Sequence, residues 1–433
     1  MIRRTVPSLT VPSLTVLGVV LGALMLAGCG TLARPEGPLR MAPESLIRVN
    51  DPRIRSDDTQ KIQALADELQ GRLGKAGGSE TILALSGGGA NGAYGAGVVV
   101  GWTQRGDRPD FDVVTGVSTG ALAAPFAFLG SGWDEELREA YVGGGTTGLL
   151  SARTFAAFAA PSLFSSRVLR NLVDKNVTPE LLRQIASEHA KGRRLLVATT
   201  DLDTQETVIW DMGVLATQGD EDALKLFRDV LVASASIPGI FPPVLIAGVT
   251  RDGQVVEDMH VDGGVNTPFL AIPEDLLLWT NPAATRAKSA LYVVVNGQVG
   301  RNNGVTPGRI DGILARTYDS MSKASLRLSL AATAAFAARN GMTVEMSAIP
   351  DNVTVSSLKF DTATMQALFE LGQTRSASGE AWASVTASGR PGPLVAIQNA
   401  PAEQIPEALA IPPSPAAAAA PPASAPAADA PKS

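Results

Sequence analysis

Apolar residues fall along this chain in short runs of two periods, and the alternation of those periods sketches an architecture. Behind Ser56-Asp57-Asp58, whose side chains can cap a helix, Ile62, Leu65, Leu69 and Leu73 recur at helical spacing. Gly74 to Gly78 breaks the pattern. Residues 81–86 then read as a short buried strand that runs into Gly87-Gly88-Gly89-Ala90-Asn91-Gly92 and a small-residue helix through Tyr94, Gly95, Gly97 and Val98. A second strand at residues 112–115 enters Gly116-Val117-Ser118-Thr119-Gly120 and the apolar helix 121–129. Strand, glycine turn and helix thus occur twice in succession. Further strands are expected at 195–199, 207–210 and 291–295, and helices at 221–234 and 311–338. Strands alternating with helices predict an α/β fold whose mainly parallel sheet is covered on both faces.

The two ends follow other patterns. Arg3 and Arg4 precede an unbroken apolar run from Val16 to Ala27, too short to span a bilayer and suited to an export signal. The run closes on Leu26-Ala27-Gly28-Cys29, which resembles the lipobox of bacterial lipoproteins. Residues 1–28 are therefore expected to be a signal peptide and Cys29 the lipid attachment point. Gly30 stands where Asp would resemble an inner-membrane retention signal, so the expected place is the cell envelope, on the outer membrane, facing periplasm or surface. Residues 29–56 lack periodicity and read as a tether. The folded domain is expected over 57–400, with a Pro/Ala-rich extended tail over 401–433. The last 22 residues hold ten Ala and seven Pro, which leaves almost nothing to bury.

Composition narrows the chemistry. Of 433 residues 45% are hydrophobic, enough for a large core, and 36 Lys+Arg against 42 Asp+Glu give −6, with no basic footprint for nucleic acid. One Cys and two His exclude an internal disulfide and a multi-cysteine zinc site, and no metal or cofactor is expected. The work must fall on Ser, Asp and backbone amides. Gly87, Gly89 and Gly92 fit the G-x-G-x-x-G dinucleotide pattern, but Asp112 precedes the next strand instead of ending it, and no Lys-Ser or Lys-Thr follows as in a P-loop. The loop can instead present bare N–H groups to an oxyanion, or simply make a tight turn.

Gly116-x-Ser118-x-Gly120 at a strand-to-helix turn has the form of a nucleophile elbow. Its base is less obvious. His189 lies in a polar helical stretch and reads as a solvated surface residue. His260 precedes Asp262 by two residues, on the same face of an extended segment, where it can act as a base or pack beside the Asp262-Gly263-Gly264 turn. A carboxylate buried beside a serine can itself serve as base once burial raises its pKa. Residues 149–164, rich in Leu and Phe, read as a core helix or as a flap toward lipid.

Three blocks in order, Gly87 to Gly92, Gly116 to Gly120 and Asp262 to Gly264, together with Ala233 to Pro243, resemble the patatin-like phospholipases over residues 81–267 and more loosely to Gly379. The resemblance implies a three-layer α/β fold and hydrolysis of acyl esters of phospholipids or lysophospholipids. It implies Ser118 as nucleophile, Asp262 as base and the amides of Gly87, Gly88 and Gly89 as oxyanion donors. Asn91 stands where that family often carries Arg or Lys. The alternatives are an envelope lipid-binding or scaffold protein of the same fold, and a thioesterase or peptidase with the same acyl chemistry.

Overall fold

The computed structural model describes residues 51–385 other than 57, 74–79, 145–161, 163–164, 250–254, 281–288, 302–303 and 354. The expected signal peptide, Cys29, nearly all of the tether, the Pro/Ala-rich tail and the 149–164 segment apart from Ser162 lie outside the described residues.

In chain order the elements are β1 (Arg53–Ile54), α1 (Thr59–Leu73), β2 (Thr81–Leu85), α2 (Gly92–Arg105), β3 (Val113–Val117), α3 (Thr119–Leu129), α4 (Asp134–Val142), α5 (Arg167–Asn176), α6 (Pro179–Ala190), β4 (Arg194–Asp201), β5 (Glu206–Asp211), α7 (Met212–Gln218), α8 (Glu221–Ser234), β6 (Val244–Val249), β7 (Val255–Asp262), β8 (Ala290–Val295), α9 (Ile310–Arg339), β9 (Thr343–Ala348), α10 (Thr362–Ala377) and β10 (Ala383–Ser384). The strands line up as β1-β5-β4-β3-β2-β8-β9-β10. From β4 to β9 neighbouring strands are parallel, while β5, β1 and β10 close the edges antiparallel.

Side chains of β2 show why its run is continuously apolar. Leu83 and Leu85 enter one hydrophobic cluster and Ile82 and Ala84 another, because successive residues of a strand point to opposite faces and both faces here are covered. Helices α1 and α9 pack on the second face, and α2 to α8 with α10 build on the first. This three-layer arrangement is the expected one. The small-residue helix α2 has its own reason: a Cβ at Gly97 or Gly101 would overlap backbone of α10, and one at Gly372 of α10 would overlap the carbonyl of Tyr94. Glycine lets the two backbones touch.

One boundary is corrected. The end of the expected tether is part of the folded body: Arg53 and Ile54 pair with Trp210 and Ile209, and fully buried Arg55 reaches Asp201 at 3.1 Å and Glu206 at 3.5 Å. Burial of such a guanidinium is tolerated because carboxylates meet it.

A second detail of register positions the site. On one edge of β4, β3 pairs as far as Val117 opposite Ala198, and from the next residue on β7 takes over, with Asp262 opposite Thr199. The opposite edge of β4 belongs to β5. The end of β3 and the end of β7 therefore converge.

Candidate active site

Ser118 follows β3 directly and opens α3 with φ 56°, a left-handed value for a residue with a Cβ. Such a conformation costs on the order of 1–3 kcal/mol and persists only where its surroundings impose it. Here the glycines on either side make room for the tight turn, and hydrogen bonds from Ser118 to Ser234 and Asp262 hold it. A Cβ at Gly120 would overlap the Leu85 carbonyl, and one at Gly116 would sit against the backbone of Gly120 and Ala121. The Ser118 N–H donates to Ser234 Oγ at 3.0 Å, whose own hydroxyl donates to the Ala198 carbonyl at 2.7 Å.

Convergence of β3 and β7 brings the Ser118 hydroxyl to Asp262 Oδ2 at 2.5 Å. The other carboxylate oxygen accepts the Gly264 N–H at 2.7 Å, and the Asp262 N–H donates to the Ser236 carbonyl at 3.0 Å. Both side chains are buried. Burial is the dominant influence on Asp262 and pushes its pKa up to about 7, against the opposing pull of the bonds from Ser118 and Gly264. A carboxylate so placed can accept a proton near neutrality. Ser234 and Ser236, noticed in the sequence only as part of a Ser-rich block, thus fasten both members of the pair through α8 and the turn after it.

The glycine loop lies against the same serine, with a Cβ built on Gly87 falling 3.2 Å from Ser118 Cβ. Of the three amides expected as oxyanion donors, one is already used. The Gly87 N–H donates to the Pro268 carbonyl at 3.0 Å, so Gly87 shapes the loop and is no donor in this arrangement. Ala90 N–H is likewise taken, by Ser357 at 2.8 Å. Gly88 and Gly89 N–H have no partner among the described residues. Both sit at positive φ, 157° and 57°, and side chains there would overlap the carbonyls of Asn296 and Ser357. The amide of Thr119, the first of α3, is also without a partner among the described residues. The pentapeptide signals such a donor, since the residue after an elbow nucleophile opens a helix.

Gly89, Ser118 and Thr119 border a cavity of about 720 Å³, its open mouth included. The walls are apolar: Leu122 and Phe126 of α3, Leu169 and Val173 of α5, Leu231 of α8 and Phe241 are among them. Tyr141 closes part of it, donating to the Thr119 carbonyl at 2.5 Å.

Neither histidine joins Ser118. His260 is fully buried, its Nδ1 3.0 Å from Thr199 Oγ1, and desolvation pushes its pKa down to about 4. His189 is not solvated as expected but half-buried, packed where a Cβ on Gly213 would overlap its ring, 3.7 Å from Asp211. Asn91, at the start of α2, is buried with no partner for its Oδ1, and among the described residues no cluster of three or more His, Cys, Asp or Glu could hold a metal.

The family model described as Patatin-like phospholipase matches residues 83–273, which span the glycine loop, the elbow and the Asp262 turn. No curated protein matches the chain. Among solved structures, the crystal structure of VipD from Legionella pneumophila superposes with a TM-score of 0.35 at 13% sequence identity, over 71% of this chain and 68% of that one.

Proposed function

Residues 83–273 being a patatin-like phospholipase domain, we propose that this chain is a serine hydrolase that cleaves acyl esters of phospholipids or lysophospholipids through Ser118 and Asp262. The observation that carries the reading is the 2.5 Å bond between a strained, buried serine hydroxyl and a buried carboxylate whose pKa lies near neutrality. In the ionised state Asp262 accepts the Ser118 proton as Oγ attacks the ester carbonyl. Negative charge forming on the carbonyl oxygen meets the N–H groups of Gly88 and Gly89, each worth about 3 kcal/mol in such a role, with the Thr119 amide at the helix start beside them. Asp262 then returns the proton to the departing alcohol, leaving an acyl group on Ser118. Water, deprotonated by the same carboxylate, releases the fatty acid. The apolar cavity beside Ser118 suits the acyl chain.

Attachment of lipid at Cys29 would hold this hydrolase at the envelope, facing the periplasm or the surface of an outer membrane, next to its substrate. Two or more acyl chains anchor stably where one binds only marginally. Incorporation of palmitate that disappears in Cys29→Ser tests the anchor.

The hydrolase itself is tested with a fluorophosphonate probe and a panel of phospholipids, lysophospholipids and short esters. Wild-type protein is expected to label rapidly and to hydrolyse esters, and Ser118→Ala to do neither while melting normally. Rapid labelling of Ser118→Ala, or a wild-type protein that neither labels nor turns over, overturns the assignment.

A further inference from the structure

Two helices give the cavity beside Ser118 a direction. Along α3 the residues that line it are Thr119, Leu122 and Phe126, spaced by three and four and so stacked in one stripe that leads away from the nucleophile. From Ser118 to Phe126 the helix advances about 12 Å. Helix α8 ends where α3 begins, because Ser234 Oγ accepts the Ser118 N–H. Of the lining residues on that side, Ala235 adjoins this point and Leu231 lies one turn back. Val177 lies further still: its carbonyl accepts from Arg228 at 2.7 Å, and Arg228 precedes Ser234 by about 9 Å along α8.

Phe126 ends the stripe. The next residue on that face of α3, Leu129, does not border the cavity, and Phe126 is only 4% exposed. Behind it stands Trp133, with ring centroids 6.2 Å apart and planes tilted by 45°. The Trp133 indole N–H donates in turn to Gln184 Oε1 of α6 at 3.0 Å. A phenyl ring backed in this way swings aside only by breaking that packing. Among the described residues that line the cavity none is charged.

A groove of this kind admits an apolar chain and limits its length. An extended alkyl chain advances about 1.25 Å per carbon, the projection of a single bond of about 1.5 Å, so the roughly 9–12 Å available holds about eight to ten carbons. We infer that Phe126 sets the acyl length this protein accepts, selecting esters of about eight to ten carbons over those of fourteen or more. The choice of an ester rests on the acyl hydrolase reading, while the length limit belongs to the cavity and is measurable without turnover. Each methylene taken out of water is worth about fourfold in binding, so affinity climbs with every carbon until the chain meets Phe126 and stops there.

Two measurements on the full chain test this. Hydrolysis of 4-nitrophenyl esters with acyl chains of four to sixteen carbons, each below its aggregation concentration, gives kcat/KM relative to the four-carbon ester of the same protein, so that a general loss of activity cancels. Calorimetric titration of the Ser118→Ala protein with free fatty acids of the same lengths reads binding alone. Both series are expected to rise to about ten carbons and to fall about tenfold or more by sixteen. Phe126→Ala removes a ring about 4 Å deep, room for about three carbons, and should raise the ratio of the fourteen-carbon to the eight-carbon chain about tenfold or more. Where Phe126→Ala melts too low to measure, Phe126→Leu gives a shift of the same sign on a smaller scale. Leu122→Phe, one turn nearer Ser118, should move the maximum the other way, to about six carbons. A maximum that stays in place in both Phe126 variants, or a wild type that takes sixteen carbons as well as ten, overturns the proposal. Fatty acids bound with the length limit while no ester is turned over leave Phe126 in this role and remove the hydrolase reading; turnover without a length limit does the reverse, and neither binding nor turnover removes both.

Discussion

Replacing Asp262 by Asn should abolish hydrolysis and yet stabilise the protein, by an amount that depends on pH. Asn keeps an oxygen to accept the Gly264 N–H and a polar group beside Ser118, so the packing changes little. What changes is the charge. In the folded protein burial lifts the Asp262 pKa from its ordinary 3.8 to about 7. Unfolded chains therefore lose this proton near pH 4 while the native state holds it until about 7. Between those values the unfolded state is progressively favoured, and above pH 7 the accumulated cost levels off at on the order of 4 kcal/mol. The uncharged amide of the variant carries no such cost. Thermal melts of both proteins from pH 4 to 9 should coincide at the acid end, separate through pH 5–7 in favour of Asp262→Asn, and run parallel above about pH 7.5. Other raised carboxylates, Glu80 at about 7 and Asp258 at about 6, titrate in both proteins and cancel in the difference. The kcat/KM of the wild type should rise over the window in which its stability falls, because the ionised carboxylate that burial disfavours is the form that acts as base. A melting difference that is constant from pH 4 to 9, or a wild type more stable than Asp262→Asn at pH 8, would refute the reasoning.

Gly89→Ala should reduce kcat at least about 100-fold on every ester, because the new methyl meets the Ser357 carbonyl and displaces an amide aimed at the oxyanion; a variant with kcat within a few-fold of wild type would remove Gly89 from that role. His260→Gln should keep most of the activity at neutral pH, since the ring is neutral there and bonds to Thr199, not Ser118; loss as complete as in Ser118→Ala with a normal melt would restore a histidine base.

What the sequence disclosed and what it hid differ in range. Ser118 and the glycine loop were legible because strand, turn and helix follow one another within a few residues, and glycine marks places where backbone must approach backbone. Asp262 was legible as a carboxylate with small neighbours, but the strand that carries it was not. Residues 255–262 include Glu257, Asp258 and His260, a poor match to an alternating strand, and Asp258 and His260 are nonetheless fully buried. The Asp258 charge is offset in part by Arg55 and Arg53, from a stretch that reads locally as tether and pairs with β5 about 150 positions on. Gly87 shows the same limit, since Pro268, which takes its amide, lies far downstream. Helix α9 was legible as a helix, but Leu326 and Leu330 lie on the face opposite Leu314, Met321 and Leu328, and nothing in the spacing tells which of the two apolar faces meets the sheet.

The geometry also bears on how the proposed pair of residues could suffice where a serine commonly relies on a histidine between it and an acid. Adjacent strands run about 5 Å apart, and side chains at their ends meet directly when one strand takes over the edge that the other leaves. Because Asp262 stands opposite Thr199 and Val117 opposite Ala198, the distance from Ser118 to Asp262 is spanned by the two side chains alone, at 2.5 Å. An imidazole interposed there would have to part β3 from β7. Such closeness has a thermodynamic consequence, for it requires the serine in a left-handed conformation and the carboxylate out of water, each costing a few kcal/mol. Both costs fall on strand ends fastened by the same short segment, Ser234 to the nucleophile and Ser236 to the base. A chain that loosened that segment would relax the strain and separate the pair in one movement, so under the proposed mechanism the stiffness of the turn after α8 would serve the chemistry.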